Sequence, residues 1–204
     1  LVGRVALATL DGKAYYQATR LLREVGIPFQ SLVPGKSRIE RNTLVLTTRR
    51  EKGVIRGGSV VAIEDLGSDL TQARQYLLRM IFGGKNHELL VGVDPGKMVG
   101  VAAFYQGHPL EWGMFEDWRE AVSLIQALVS TSPAEIRKVR VGNGDKAMAS
   151  KILRELSLVL RGKATVEEVD ESGTSKSQQF RRAKLSKDLR AAAVIAFREG
   201  RPVW

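Results

Sequence analysis

Five carboxylates stand where a chain could use them for chemistry. Asp94 ends the apolar run LLVGV and precedes Pro95-Gly96, Asp145 closes the run GNGD, Asp170 and Glu171 follow TVEEV, and Asp188 opens KDLRAAAVIAF. An acid at the end of an apolar run either caps a turn or a helix N-terminus, or faces something cationic. Asp145 suits a helix N-terminus, Asp188 could cap a helix or pair with Lys184 and Arg190, and Asp170-Glu171 could be a solvated turn. The chain has no cysteine and two histidines, which removes disulfides, thiolate metal sites, cysteine nucleophiles and His-rich zinc sites. Hard-oxygen coordination of the Mg²⁺ kind is left open, because a few carboxylates on rigid elements suffice for it.

Basic side chains are the second feature. The formal net charge is +10 over 204 residues, and the excess is clustered. Residues 34–58 carry Lys36, Arg38, Arg41, Arg49, Arg50, Lys52 and Arg56 against Glu40 and Glu51; residues 176–190 carry Lys176, Arg181, Arg182, Lys184, Lys187 and Arg190 against Asp188. Lys97 adds a cation in the turn after Asp94. Such an excess favours nucleic acid as partner, since neutralised phosphates release counterions. The plainer reading of residues 34–58 is a solvated loop and hairpin; the sharper one is that the stretch from Lys36 to Arg56 grips a phosphate backbone. Phe180, among Arg181, Arg182 and Lys184, could stack on an unpaired base or simply pin its loop to the core.

The elements that must position these groups can be read from periodicity. Residues 5–8 form a short buried strand, and Tyr15, Ala18, Leu21, Leu22 and Val25 recur at helical spacing until Gly26. Strands follow at 28–33, 43–48 and 59–65, then a helix from Leu70 to about Met80. Residues 1–83 thus form a small α/β domain of unknown role, with Asp11, Glu64 and Asp65 as acids at strand ends and no phosphate-binding glycine loop. Residues 84–87 are the linker. Residues 88–204 then read as three strands in a meander, with helix, strand, helix, strand and helix after them. No apolar run nears the roughly 20 residues a bilayer needs, so the expected setting is cytoplasmic. Scarce asparagine beside abundant Arg, Lys and Glu leans toward a thermophilic source.

That order resembles the ribonuclease H-like fold, a mixed five-stranded sheet flanked by helices. VGVDPGKMVGVAAF is similar to the first-strand signature of the RuvC Holliday-junction resolvases and their YqgF relatives. RVGNGDKAMASKI resembles the end of the fourth strand in the YqgF domain of the transcription accessory protein Tex. VEEVDESGTS looks like the YqgF motif with adjacent Asp and Glu, and KDLRAAAVIAF looks like the family's final helix. The resemblance implies a nuclease that cleaves DNA or RNA, with structured or branched substrates within its range, using Mg²⁺ or Mn²⁺ in a two-ion site. By it, Asp94 would bridge the metals, Asp188 would approach from the last helix, and Asp170 or Glu171 from the fifth strand, with Asp145 a further candidate. Resemblance to resolvases also implies a homodimer. Two positions depart from the resolvase pattern: Asn143 and Asp145 stand near the usual fourth-strand glutamate, and Ala191 stands where a second helix acid would be. Both fit YqgF-like members better.

Two other functions compete. One is a non-catalytic nucleic-acid-binding protein on the same fold. The other is an actin-like ATPase, which would carry Thr or Ser soon after the glycine, where Lys97-Met98 stands here.

Overall fold

The structure, a computed structural model, describes residues 3–171 and 187–203, with the backbone alone for Lys187 and Asp188. The chain forms two compact α/β units, Leu1–Lys85 and Asn86–Trp204.

The first unit is built on strands β1 (Arg4–Ala8), β2 (Gln30–Leu32), β3 (Thr43–Thr47) and β4 (Ser59–Ala62), with helices α1 (Gly12–Glu24) and α2 (Leu70–Phe82). The sheet order is β2-β1-β3-β4 and every pairing is parallel. Asp11 starts α1 by accepting from the amides of Lys13 and Ala14, both at 2.9 Å, and Asp69 starts α2 by accepting from Gln72 N at 2.7 Å. Ala14, Ala18, Leu21 and Leu22 bury one stripe of α1.

Two expectations change here. β3 and β4 run parallel, so residues 48–58 are a crossover and not a hairpin. All five residues of β3 are buried, as in a parallel strand covered on both faces. The strand expected over residues 59–65 ends at Ala62, and Ile63–Leu66 winds into a 3-10 turn. That turn buries Ile63 and Leu66, which alternation alone would have kept in the strand.

The second unit holds β5 (Glu88–Asp94), β6 (Val99–Tyr105), β7 (His108–Phe115), α3 (Trp118–Thr131), β8 (Ile136–Gly142), α4 (Lys146–Val159), β9 (Thr165–Val169), α5 (Lys187–Phe197) and β10 (Arg201–Pro202). β5, β6 and β7 form an antiparallel meander, while β8 joins β5 and β9 joins β8 in parallel. The resulting order is β7-β6-β5-β8-β9, a mixed sheet with the meander on one side and the parallel strands on the other. A sixth strand extends it: Arg201 and Pro202 pair antiparallel with Glu168 and Glu167 of β9. Two residues carry no readable period, and Pro202 is tolerated because the strand lies at the sheet edge.

Side chains alternate along β5, and Leu90 joins Ala102, Phe104, Ala192, Ala193 and Ala196 in one buried cluster. Leu90, Gly92 and Asp94 therefore share the face that α5 covers. Phe197, at the C-terminal end of α5, meets Phe104 edge-on at 4.7 Å, and Phe104 is the ladder partner of Leu90. The other end of α5 is thereby directed toward the Asp94 end of β5.

Candidate functional site

Because β5, β8 and β9 are parallel, their C-terminal ends open along one edge of the sheet. Asp94 is the last residue of β5 and is half-buried. Its ladder partner on β6 is Gly100, which adds no side chain beside the carboxylate. Pro95-Gly96 turns the chain away, and Lys97 is exposed at the tip.

β8 ends in Gly142, and a Cβ there would fall 2.1 Å from Glu171 Oε1 and 2.7 Å from Ile195 Cδ1. The Glu171 carboxylate from the end of β9 therefore lies over the last residue of the neighbouring strand. It is fixed from both sides. Gly144 N donates to Glu171 Oε1 at 2.8 Å, and Glu171 N donates to Asn143 Oδ1 at 3.1 Å. Asn143 N also continues the ladder to Val169 O at 3.1 Å. The glycines in GNGD thus make room for an acid that belongs to another strand.

Asp145 is used otherwise: its Oδ1 accepts from Met148 N at 3.0 Å and caps α4. Asp170 is exposed and lines an open cleft of about 710 Å³ with Asn143, Gly144, Lys146, Glu171 and Glu199. Its backbone carbonyl accepts from Arg198 Nη1 at 2.8 Å. Asp188 and Lys187 lie in the first turn of α5. Ala192 and Ala196, four and eight residues after Asp188, abut Gly92. Lys176, Phe180, Arg181, Arg182 and Lys184 lie outside the described residues. Among the described residues no three His, Asp or Glu side chains come together as a group able to hold a metal ion.

A buried pair braces this edge from behind. Arg140 on β8 donates from Nε to Glu167 Oε2 at 2.7 Å and from Nη1 to the Ala196 carbonyl at 2.8 Å. Arg140 and Glu167 are direct ladder partners, and the second bond ties the C-terminal turn of α5 to the sheet.

In the first unit, the expected basic set divides. Arg49 is held by Asp65, with Nε and Nη2 at 2.9 and 2.7 Å from Oδ1, while its amide faces the Glu64 carboxylate. The hydrogen bond and charge of Asp65 raise the Arg49 pKa further. Arg50 and Lys52 are exposed beside Glu51. Glu51, which the sequence reading counted only as a counter-charge, joins the ends of β1 and β3 through its carboxylate. It accepts from Thr9 Oγ1, from Leu10 N at 2.7 Å and from Thr48 Oγ1 at 2.7 Å. Burial pushes its carboxyl up, but these donors together outweigh burial and hold it below the ordinary value. Arg56 faces elsewhere, with Lys36, Arg38 and Arg41 of the same basic stretch.

No helix among the described residues is long and apolar enough to cross a membrane. No family model matches the chain, and no curated protein matches it. A solved structure described as a crystal structure of Aa-Ago with externally bound siRNA is similar over 82% of this chain and 35% of its own, at 9% identity and a TM-score of 0.25. A likeness that slight carries no inference about this chain.

Proposed function

We propose that this protein binds nucleic acid and hydrolyses its phosphodiester bonds at the strand edge around Asp94, with Mg²⁺ or Mn²⁺ as cofactor. The observation that carries the reading is Glu171. Its carboxylate stands over Gly142, so β9 supplies an acid at the end of β8, where the chain's own β8 ends in glycine. Asp94 ends the adjacent strand, and the residue-188 stripe of α5 runs along the same face.

The donor chemistry fits a hard divalent ion, since Mg²⁺ is held by one or two carboxylates with waters and substrate phosphates completing its shell. When bound, such an ion offsets charge on the scissile phosphate and makes water a better nucleophile. The chain's own share is positioning. The β5 ladder fixes Asp94, the Gly144 amide and Asn143 fix Glu171, and exposed Lys97 offers a cation to a neighbouring phosphate.

A second reading, binding without cleavage, is favoured by the lack of a three-acid group among the described residues. One experiment separates the two. Labelled single-stranded, duplex and four-way-junction DNA, and RNA, are incubated with Mg²⁺, Mn²⁺ or EDTA, using wild type and Asp94→Asn. Metal-dependent cutting lost in Asp94→Asn is the expected result. Salt-sensitive binding without cutting under any metal would leave the binding module, and neither would discard both readings.

A further inference from the structure

Two crossovers of the first unit, residues 33–42 and 48–58, cover one face of its sheet and carry a cleft. Ile39 from residues 33–42 packs on Ala8 and Val45, with Leu32, Ile55 and Val60 around it. Ile39 N donates to Arg56 O at 3.4 Å, joining the two loops. Gly57 and Gly58 make the approach possible. At Gly57, with φ of +93°, a Cβ would lie 2.3 Å from Ile39 O; at Gly58, with φ of +71°, it would lie 2.7 Å from Thr43 O. The sequence set Arg56 beside Arg49, Arg50 and Lys52; the fold sets it beside Lys36, Arg38 and Arg41.

These four side chains, with Gly35, Ser37, Ile39 and Gly57, line an open cleft of about 500 Å³ that has no carboxylate in its wall. All four cations are exposed. Glu40, the acid of the same loop, is taken by Arg4 at 2.8 Å. Arg20, Arg49, Arg74, Arg119 and Arg140 each have a carboxylate partner, whereas none of the four cleft cations forms an ion pair among the described residues.

We infer that this cleft is a phosphate-backbone site, through which the first unit binds nucleic acid. The inference rests on the nucleic-acid reading above. Four charges spread over two loops suit successive phosphates of a polymer, where a single bound anion would call for a closed nest of donors. The cleft offers cations and bare glycine backbone without an aromatic ring, so it grips backbone and does not read bases.

The test is fluorescence anisotropy of the full chain with fluorescein-labelled 20-nucleotide single-stranded and duplex DNA and RNA, across a salt series. Wild type is compared with Arg38→Gln/Arg56→Gln, with Arg41→Gln, and with Arg119→Gln/Arg154→Gln, which removes the same charge elsewhere. The double cleft variant should weaken binding by tenfold or more and flatten the log Kd against log salt slope by roughly 0.7–0.9 per cation removed. The control should change less than threefold. Binding by wild type that the cleft variants keep, with unchanged slope, overturns the cleft and leaves the nucleic-acid reading standing. Failure of wild type to bind any of the four probes overturns both. Equal weakening by the control pair shows a diffuse charge effect and also overturns the cleft. The four side chains are exposed, and unchanged melting temperatures verify that each variant folds.

Discussion

A Cβ added to Gly92 would lie 1.9 Å from the Ala192 carbonyl oxygen and 2.5 Å from Ala196 N, so β5 and α5 meet backbone to backbone. The contact sets how far α5 stands from the strand that ends in Asp94. Gly92→Ala must push the helix off the sheet, because the colliding atoms are backbone. It should destabilise the protein by about 3 kcal/mol, at the upper end for overpacking, read from urea or thermal denaturation. A loss under 1 kcal/mol would mean that α5 sits further from β5 than described here.

The buried Arg140–Glu167 pair predicts an asymmetry between single and double variants. Arg140→Met strands the Glu167 carboxylate and the Ala196 carbonyl without their donor, and should cost about 3–5 kcal/mol. Arg140→Met with Glu167→Leu removes both charges and should recover most of that loss. Denaturant midpoints of wild type, Arg140→Met, Glu167→Leu and the double variant measure the coupling; additive losses would show that the two residues act independently.

Glu51 gives a pH dependence. Its carboxyl is held below the ordinary glutamate value by hydrogen bonds that outweigh burial, while in the unfolded chain it returns to that ordinary value. Between the two values the unfolded state binds the extra proton, so stability rises with pH there. The contribution is complete above the ordinary glutamate pKa of the unfolded chain and is lost as pH falls through the lower folded value. Glu24, for which burial is outweighed by its bonds to Arg20 and Arg74, acts in the same direction. Glu51→Gln should lower the melting temperature at pH 7 and leave it less sensitive to acid between pH 5 and 3 than wild type. Parallel acid profiles for the two proteins would refute the assignment.

Glu171 separates structure from chemistry. Glu171→Gln keeps an oxygen for the Gly144 amide and should melt within about 0.5 kcal/mol of wild type, whereas Glu171→Ala leaves that amide without its partner and should cost about 1 kcal/mol. If the cleavage reading holds, both variants should lose cutting by about 10- to 100-fold. Full activity in Glu171→Gln would assign the residue to structure alone.

The amino-acid sequence by itself determined the main helices and strands and their order, but not β10 or the 3-10 turn at Ile63–Leu66. Apolar runs ending in Asp94 and Gly142, helices begun by Asp11, Asp69, Asp117 and Asp145, and stops at Gly26 and Gly83 are local events, decided by alternation, side-chain caps and positive φ. The acids at the strand ends were legible for the same reason. Which acids keep company was not. Glu171 crosses to the end of β8 because Gly142 and Gly144 leave room there, and Asp145 is drawn into capping α4. The basic stretch was visible as charge, but the parallel crossover decided its division, giving Arg49 to Asp65 and turning Arg56 toward Lys36, Arg38 and Arg41. Charge and periodicity are properties of neighbours along the chain. The partner of a charge is set by packing between segments tens of residues apart, and only the tertiary structure decides that.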